Sequence, residues 1–124
     1  MGNRVNFLIE QPDGHLCVYG HWAGDGMLSQ FASALKRVVE AGRQYDLPYA
    51  NRIIISQLVG EGWDDDLGWG VSVNSIGDNE HSIPVVSLGG GTVSLYPATY
   101  SYHDIDWDHP KFTMSINSFI ERFL

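Results

Sequence analysis

A chain of 124 residues, 44% hydrophobic and 12% aromatic, is the length of one domain, here 1–124, and is expected to bury roughly two-thirds of its unfolded-chain surface without a disulfide or a metal. Its net charge of −8 is uneven, with five Lys/Arg against six Asp/Glu in residues 1–62 and two against nine in residues 63–124. Such acidity serves solubility and suits a basic partner, but it repels phosphate backbones and argues against ordinary nucleic-acid binding, and no apolar run reaches the ~18 residues of a membrane span.

From the N-terminus, "RVNFLIE" and "HLCVYGHW" alternate in period two around "QPDG", which predicts a hairpin of strands 4–11 and 15–22. With a three-residue turn, Gln11 faces His15, and counting back sets Phe7 opposite Tyr19, Val5 opposite His21 and Arg4 opposite Trp22. One face then carries Val5, Phe7, Ile9, Cys17, Tyr19 and His21, and the other Leu8, Leu16, Val18 and Trp22. Both faces have apolar content, so both are expected to be covered at least in part. On this count His21 is a core histidine with a satisfied hydrogen bond, Trp22 lies on the opposite face near Arg4, and the two cannot serve one pocket.

After "AGDG", where Asp25 is placed to cap a helix, "MLSQFASALKRVVEAG" sets Leu28, Phe31, Ala32, Leu35, Val38 and Val39 at helical spacing, with Gly42 as the stop. "DLPYANRIIISQLVGEG" has three consecutive isoleucines that favour strand. Yet Ala50, Ile54 and Leu58 keep a four-residue spacing, and with Asp46 as cap, Pro48 in the first turn and Gly60 as stop it is read as helix. "WDDDLG" is a turn. "WGVSVNS", "HSIPVVSL" and "TVSLYP" then read as an antiparallel meander in which Pro84 marks an unpaired side or a bulge. Residues 97–110 form a polar, aromatic loop, and "TMSINSFIERFL" closes the chain with a short helix through Ile116, Phe119, Ile120 and Phe123. The order ββααβββα predicts an α+β fold: a mainly antiparallel sheet of about five strands with three helices.

The pieces "MGNRVN", "HWAGDG", "YANRIIISQLV", "GWGVS" and "GDNEHSIPVV", followed by "INSFIERF", resemble a group of small proteins encoded by bacteriophages and prophages of actinobacteria. That group shares an Arg-x-Asn start, a Tyr-x-His-Trp-x-Gly stretch, a Tyr-x-x-Arg-Ile helix and a Gly-Tyr-Gly-Ile segment before Asp-Asn-Glu. The resemblance spans most of the chain and implies a phage setting, with no catalytic residues attached. Trp69 stands where the group has tyrosine, which keeps an aromatic ring and removes a hydroxyl.

Catalytic patterns are weak. "HDIDWDH" alternates Asp104, Asp106 and Asp108 between His103 and His109, but the glycine and distal glutamate of a calcium loop are replaced by His109 and Ser115, so a solvated acidic loop is expected and no metal site. The single cysteine, Cys17, lies in a strand and has no partner for an internal bridge, no serine sits in a glycine-flanked nucleophile turn, and "GGG" at 89–91 lacks the lysine of a phosphate loop. The start of the chain carries no charged segment followed by an apolar run, which points to an unprocessed protein in the cytoplasm of the host cell.

Two readings remain ahead of metal-dependent catalysis by the 103–109 cluster. In the first, a non-enzymatic phage protein binds and modulates a host factor, its acidic patch Asp64, Asp65 and Asp66 facing the partner. In the second, the protein sequesters a nucleotide signal of host defence, with stacking from Trp22 or Trp69 and charge from Arg4 and Arg52. The candidate binding residues are Arg4, Trp22, Asp25, Arg52, Trp69 and Asn79, with no cofactor and no catalytic residue assigned; a homodimer is compatible with either reading.

Overall fold

The N-terminal hairpin becomes the centre of the molecule because β1 (Val5–Gln11) is apolar on both sides, with Val5, Phe7, Leu8 and Ile9 all inaccessible to solvent. A computed structural model describes residues 2–124, so Met1 of the opening motif lies outside the described residues. Among these residues the fold is α+β, with three α-helices and one six-stranded, mostly antiparallel sheet in the order β3-β2-β1-β4-β5-β6. Its strands beyond β1 are β2 (Gly14–Gly20), β3 (Trp69–Val73), β4 (Ile83–Ser87), β5 (Thr92–Tyr96) and β6 (Phe112–Ser115), and only β1 and β4 run parallel.

Helices α1 (Met27–Glu40), α2 (Leu47–Val59) and α3 (Ile116–Phe123) cover one face of the sheet, with α1 in the middle against both others. Phe31, Ala32, Leu35 and Val38 of α1 pack with Val5, Phe7, Ile9 and Val18 of the sheet, and the Phe31 ring lies between Phe7 and Phe119. The other face is covered by loops: Leu8, Cys17, Ile83, Val85 and Tyr96 pack beneath Ile76, Tyr102 and Ile105. The helical reading of residues 47–59 holds, bounded by Asp46 and Gly60. Gly42, at φ 68°, ends α1 in a Schellman arrangement, with Gly42 N bonded to Val39 O and Arg43 N to Val38 O.

Five local expectations need correction. The hairpin connection is two residues, Pro12 and Asp13, so Gln11 pairs with Gly14, Phe7 with Val18 and Val5 with Gly20, one position away from the counted register. A one-residue slip moves a strand's side chains to the other face: Leu16 and Val18 join Phe7 under the helices, whereas Cys17, Tyr19 and His21 join Leu8 under the loops. His21 is therefore half-buried rather than part of the Val5–Phe7 core. The turn's third residue is consumed as the start of β2, where Gly14 has φ 152° and Asn74 packs so closely that no Cβ fits.

The three middle strands are not a meander, because β3 pairs with β2 on the far side of the sheet while β4 returns to β1. Residues 112–115 form a sixth strand on β5 instead of the first turn of the last helix. Asp25 does not cap α1, whose N-cap is Gly26; its carboxylate accepts from Asn3 instead. Asp46 occupies the cap position of α2 but points its carboxylate at Arg43. At Pro84 the missing donor costs no ladder bond to β1, since that parallel pairing runs from Val85 to Val86.

Candidate binding surface at the β3 edge

The sheet has two edges, and they are built differently. β6 follows Pro110 and Lys111, residue types that discourage an edge from pairing further. β3 reads Trp-Gly-Val-Ser-Val, with neither charge nor proline inside it, and it pairs with β2 alone. The bonds His21 N to Gly68 O and Asn74 N to His15 O bracket this ladder, so the antiparallel alternation directs the backbone groups of Gly70 and Ser72 to β2. Trp69, Val71 and Val73 turn their N–H and C=O groups outward. Their side chains lie on the helix face, but only Trp69 is half-covered, while Val71 and Val73 are 57% and 68% exposed.

At the head of β3 the chain makes a tight approach to the end of β2. Gly68, at φ 102°, carries the Trp22 ring against its open side, and Gly20 leaves room for the Trp69 ring. Trp22 meets His21 edge-on at 4.6 Å, and His21 Nδ1 shares a 2.7 Å hydrogen bond with the Tyr19 hydroxyl. Tyr19, His21, Trp22, Asp66 and Leu67 line an open pocket there. His21 and Trp22 thus share one pocket, contrary to the sequence count, because β2 ends at Gly20 and strand alternation no longer separates the two side chains. Trp22 is 62% and Leu67 77% exposed, and Trp63, in the 3₁₀ turn Gly60–Asp64 just before them, is 78% exposed. Asp64, Asp65 and Asp66 are exposed between Trp63 and Leu67, so the acidic patch borders the apolar edge.

The remaining candidates divide among other places. Arg4 does not face Trp22; its guanidinium pairs with Glu80 at 3.0 Å and Asp78 at 3.1 Å, and the hydrogen bond to Glu80 raises its pKa further. The backbone and side-chain N–H groups of Arg4 hold the Glu80 carboxyl below its ordinary range. Asn79 is buried beside the same groove, but its carbonyl accepts from Asn6 and its amide donates to His81 O, so it ties the 74–82 loop to β1 rather than facing a ligand. Asp25 bonds Asn3, whose Oδ1 in turn accepts from His81 Nε2. Arg52 sits on the outer side of α2, bonded to Ser56 and lining a separate hollow with Tyr49. Arg4 and Arg52 therefore do not converge, and of the six candidates only Trp22 and Trp69 meet at the β3 edge.

Of the sequence candidates, Trp22, Trp69 and Asp64–Asp66 lie at this edge; Tyr19, Leu67, Val71, Val73 and the nearby Gly68 and Gly70 were not among them. A legible signal was the absence of any Lys, Arg or Pro within "WGVSV", unlike the "PK" that precedes the last strand. In the 103–109 segment, Asp106 bonds His109 Nδ1 at 2.8 Å and the backbone N–H of Asp108, and among the described residues no three His, Cys, Asp or Glu side chains converge as metal ligands. Beneath that segment, His15 stacks on Trp107 at 4.5 Å and shares a 2.7 Å bond with the Tyr102 hydroxyl.

No family profile, curated protein or solved structure matches this chain.

Proposed function

We propose that this chain is a non-enzymatic binding protein, of the phage-encoded kind suggested by its sequence, which captures an extended basic segment of a host protein as a seventh strand beside β3. The observation that carries this reading is the unguarded edge: three outward backbone positions flanked by exposed Trp22, Leu67, Val71 and Val73. Monomeric proteins rarely leave a regular edge and an apolar patch together unless something pairs there. Charge selects the class of guest. Residues 53–110 contain no Lys or Arg and nine Asp or Glu, and Asp64–Asp66 lie at the head of the edge, so a basic strand is attracted and steered. The same charge opposes pairing of two copies at −8 each. It also opposes a nucleotide, since Arg4 is neutralised by Asp78 and Glu80.

The test is affinity capture from host lysate with the wild-type protein and with Val71→Pro, which removes an outward N–H and no bond to β2. A stoichiometric host protein retained by the wild type and lost with Val71→Pro is expected. Equal retention by both overturns strand addition. A nucleotide released on heating favours sequestration, and a stable dimer broken by Val71→Pro favours self-pairing.

A further inference from the structure

Resting on the strand-addition reading, we infer that the pocket between Trp22 and Asp66 receives an arginine side chain of the guest strand, reaching it across Gly70. On a strand paired to β3, residues opposite Gly68 and Gly70 point to the loop-covered face, because Trp69, Val71 and Val73 occupy the helix face. On the loop face Gly70 of β3 leaves open space up to Tyr19, 4.0 Å from where a Cβ would stand, while the preceding Gly68 carries the Trp22 ring, so a long side chain passes over Gly70 to reach that ring. Tyr19 on β2 is two strand spacings from the guest, but the Trp22 ring lies over Gly68, one spacing of about 4.8 Å away. That distance suits an arginine and exceeds the reach of a short side chain.

What waits there fits a guanidinium. The Trp22 ring is held at its edge by His21 and by Gly68 and left open elsewhere, the phenol of Tyr19 lies alongside, and Asp66 supplies the carboxylate. A guanidinium stacks on an aromatic ring while its N–H fork donates to a carboxylate, and no Lys or Arg of this chain lines the pocket to compete. Arg4 is spent on Asp78 and Glu80 in the neighbouring groove. Gly70 would otherwise be a weakness in an edge strand, since it leaves the sheet without a side chain to pack.

The experiment is an NMR titration of isotope-labelled protein with N-acetyl-arginine methylamide, and separately with N-acetyl-citrulline methylamide, which has the same shape without the charge. Saturable shifts of the Trp22 indole and Leu67 signals are expected with arginine, with citrulline about fivefold weaker and Asp66→Asn producing a similar loss. Trp22→Leu removes the response, and the unchanged spectrum of the rest of the chain reports an intact fold. Equal responses to the two amides overturn the inference, as does adenosine monophosphate shifting these signals when arginine does not. With the captured host protein, Gly70→Thr is expected to weaken retention while keeping the fold, because a Cβ there meets nothing nearer than Tyr19 at 4.0 Å. A partner lost with Val71→Pro but kept by both Asp66→Asn and Gly70→Thr leaves strand addition standing and removes the arginine pocket. If the arginine amide binds while no partner depends on Val71, the pocket remains a guanidinium site and the strand reading falls.

Discussion

Asn6 Nδ2 donates to Asn79 Oδ1 at 3.2 Å, and the two asparagines are the buried polar side chains that fasten the 74–82 loop to the central strand. Asn6 Oδ1 also accepts from Gly77 N at 3.0 Å, and no buried polar side-chain atom among the described residues lacks a partner. The network keeps Leu8 and Cys17 covered on the loop face. It also sets the path of the chain as it leaves β3, so it positions the edge without belonging to it.

Replacing Asn6 by Ala leaves the Gly77 N–H and Asn79 Oδ1 without their partner in a dry site. The expected loss is about 2–3 kcal/mol, measured by urea unfolding, and Asn79→Ala is expected to cost somewhat less because it makes fewer bonds. A loss under about 0.5 kcal/mol for Asn6→Ala would mean that water replaces the network.

The alternation along β3 makes a sharper test. Amide exchange at Trp69, Val71 and Val73 is expected to be faster than at Gly70 and Ser72, whose N–H groups face β2. Ser72→Pro breaks the ladder and is expected to cost about 3 kcal/mol, while Val71→Pro costs about 1 kcal/mol or less. Reversed costs would place the outward groups on the even residues.

At the pocket, Trp22→Ala is expected to leave stability within about 1 kcal/mol, since the residue is already 62% exposed. Tyr19→Phe removes the bond to His21 Nδ1 from a half-covered site and is expected to cost about 1 kcal/mol. Thermal unfolding of the two variants beside the wild type checks both figures; a Trp22→Ala loss above about 3 kcal/mol would make Trp22 a core residue instead of a binding one.

Acid lability is expected to begin with His15. Burial lowers its pKa, with Glu10 opposing, so the folded state binds this proton less readily than the unfolded chain. The stability is complete above the unfolded value of about 6.5 and declines as pH falls below it, until the folded group also protonates. Glu80, whose pKa is lowered chiefly by the Arg4 N–H groups, adds a second decline in the range where unfolded carboxyls protonate. The midpoint of thermal unfolding is expected to fall between pH 7 and about pH 5, and His15→Gln should flatten that first step. An unchanged slope in the variant would assign the step to another group.

The helices were legible because their information is local. Phe31, Leu35 and Val38 repeat at the helical period, Gly42 stops α1 through its positive φ, and Pro48 and Gly60 bound α2 despite the three isoleucines. The α+β class followed from the order of such segments. The last helix was extended too far back because Phe112 and Met114 face the same core as Ile116 and Phe119, and four residues are too few to separate period two from the helical period.

Sequence alone therefore determined the three helices, the first five strands and the acidity of the second half, since periodicity, capping residues and charge are written within a few residues of one another. The hairpin register lay just beyond that reach: "PDG" allows a two- or three-residue turn, and Gly14, where the two-residue turn meets β2, packs against Asn74, sixty residues downstream. Strand order lay further still. β3 joins β2 while β4 returns to β1, because β1 is apolar on both faces and needs a neighbour on each side, a demand met only when distant segments assemble. Tertiary structure thus decided that β3 is an edge, that Gly70 opens its loop face, and that Trp22, Leu67 and Asp66 stand together beside it.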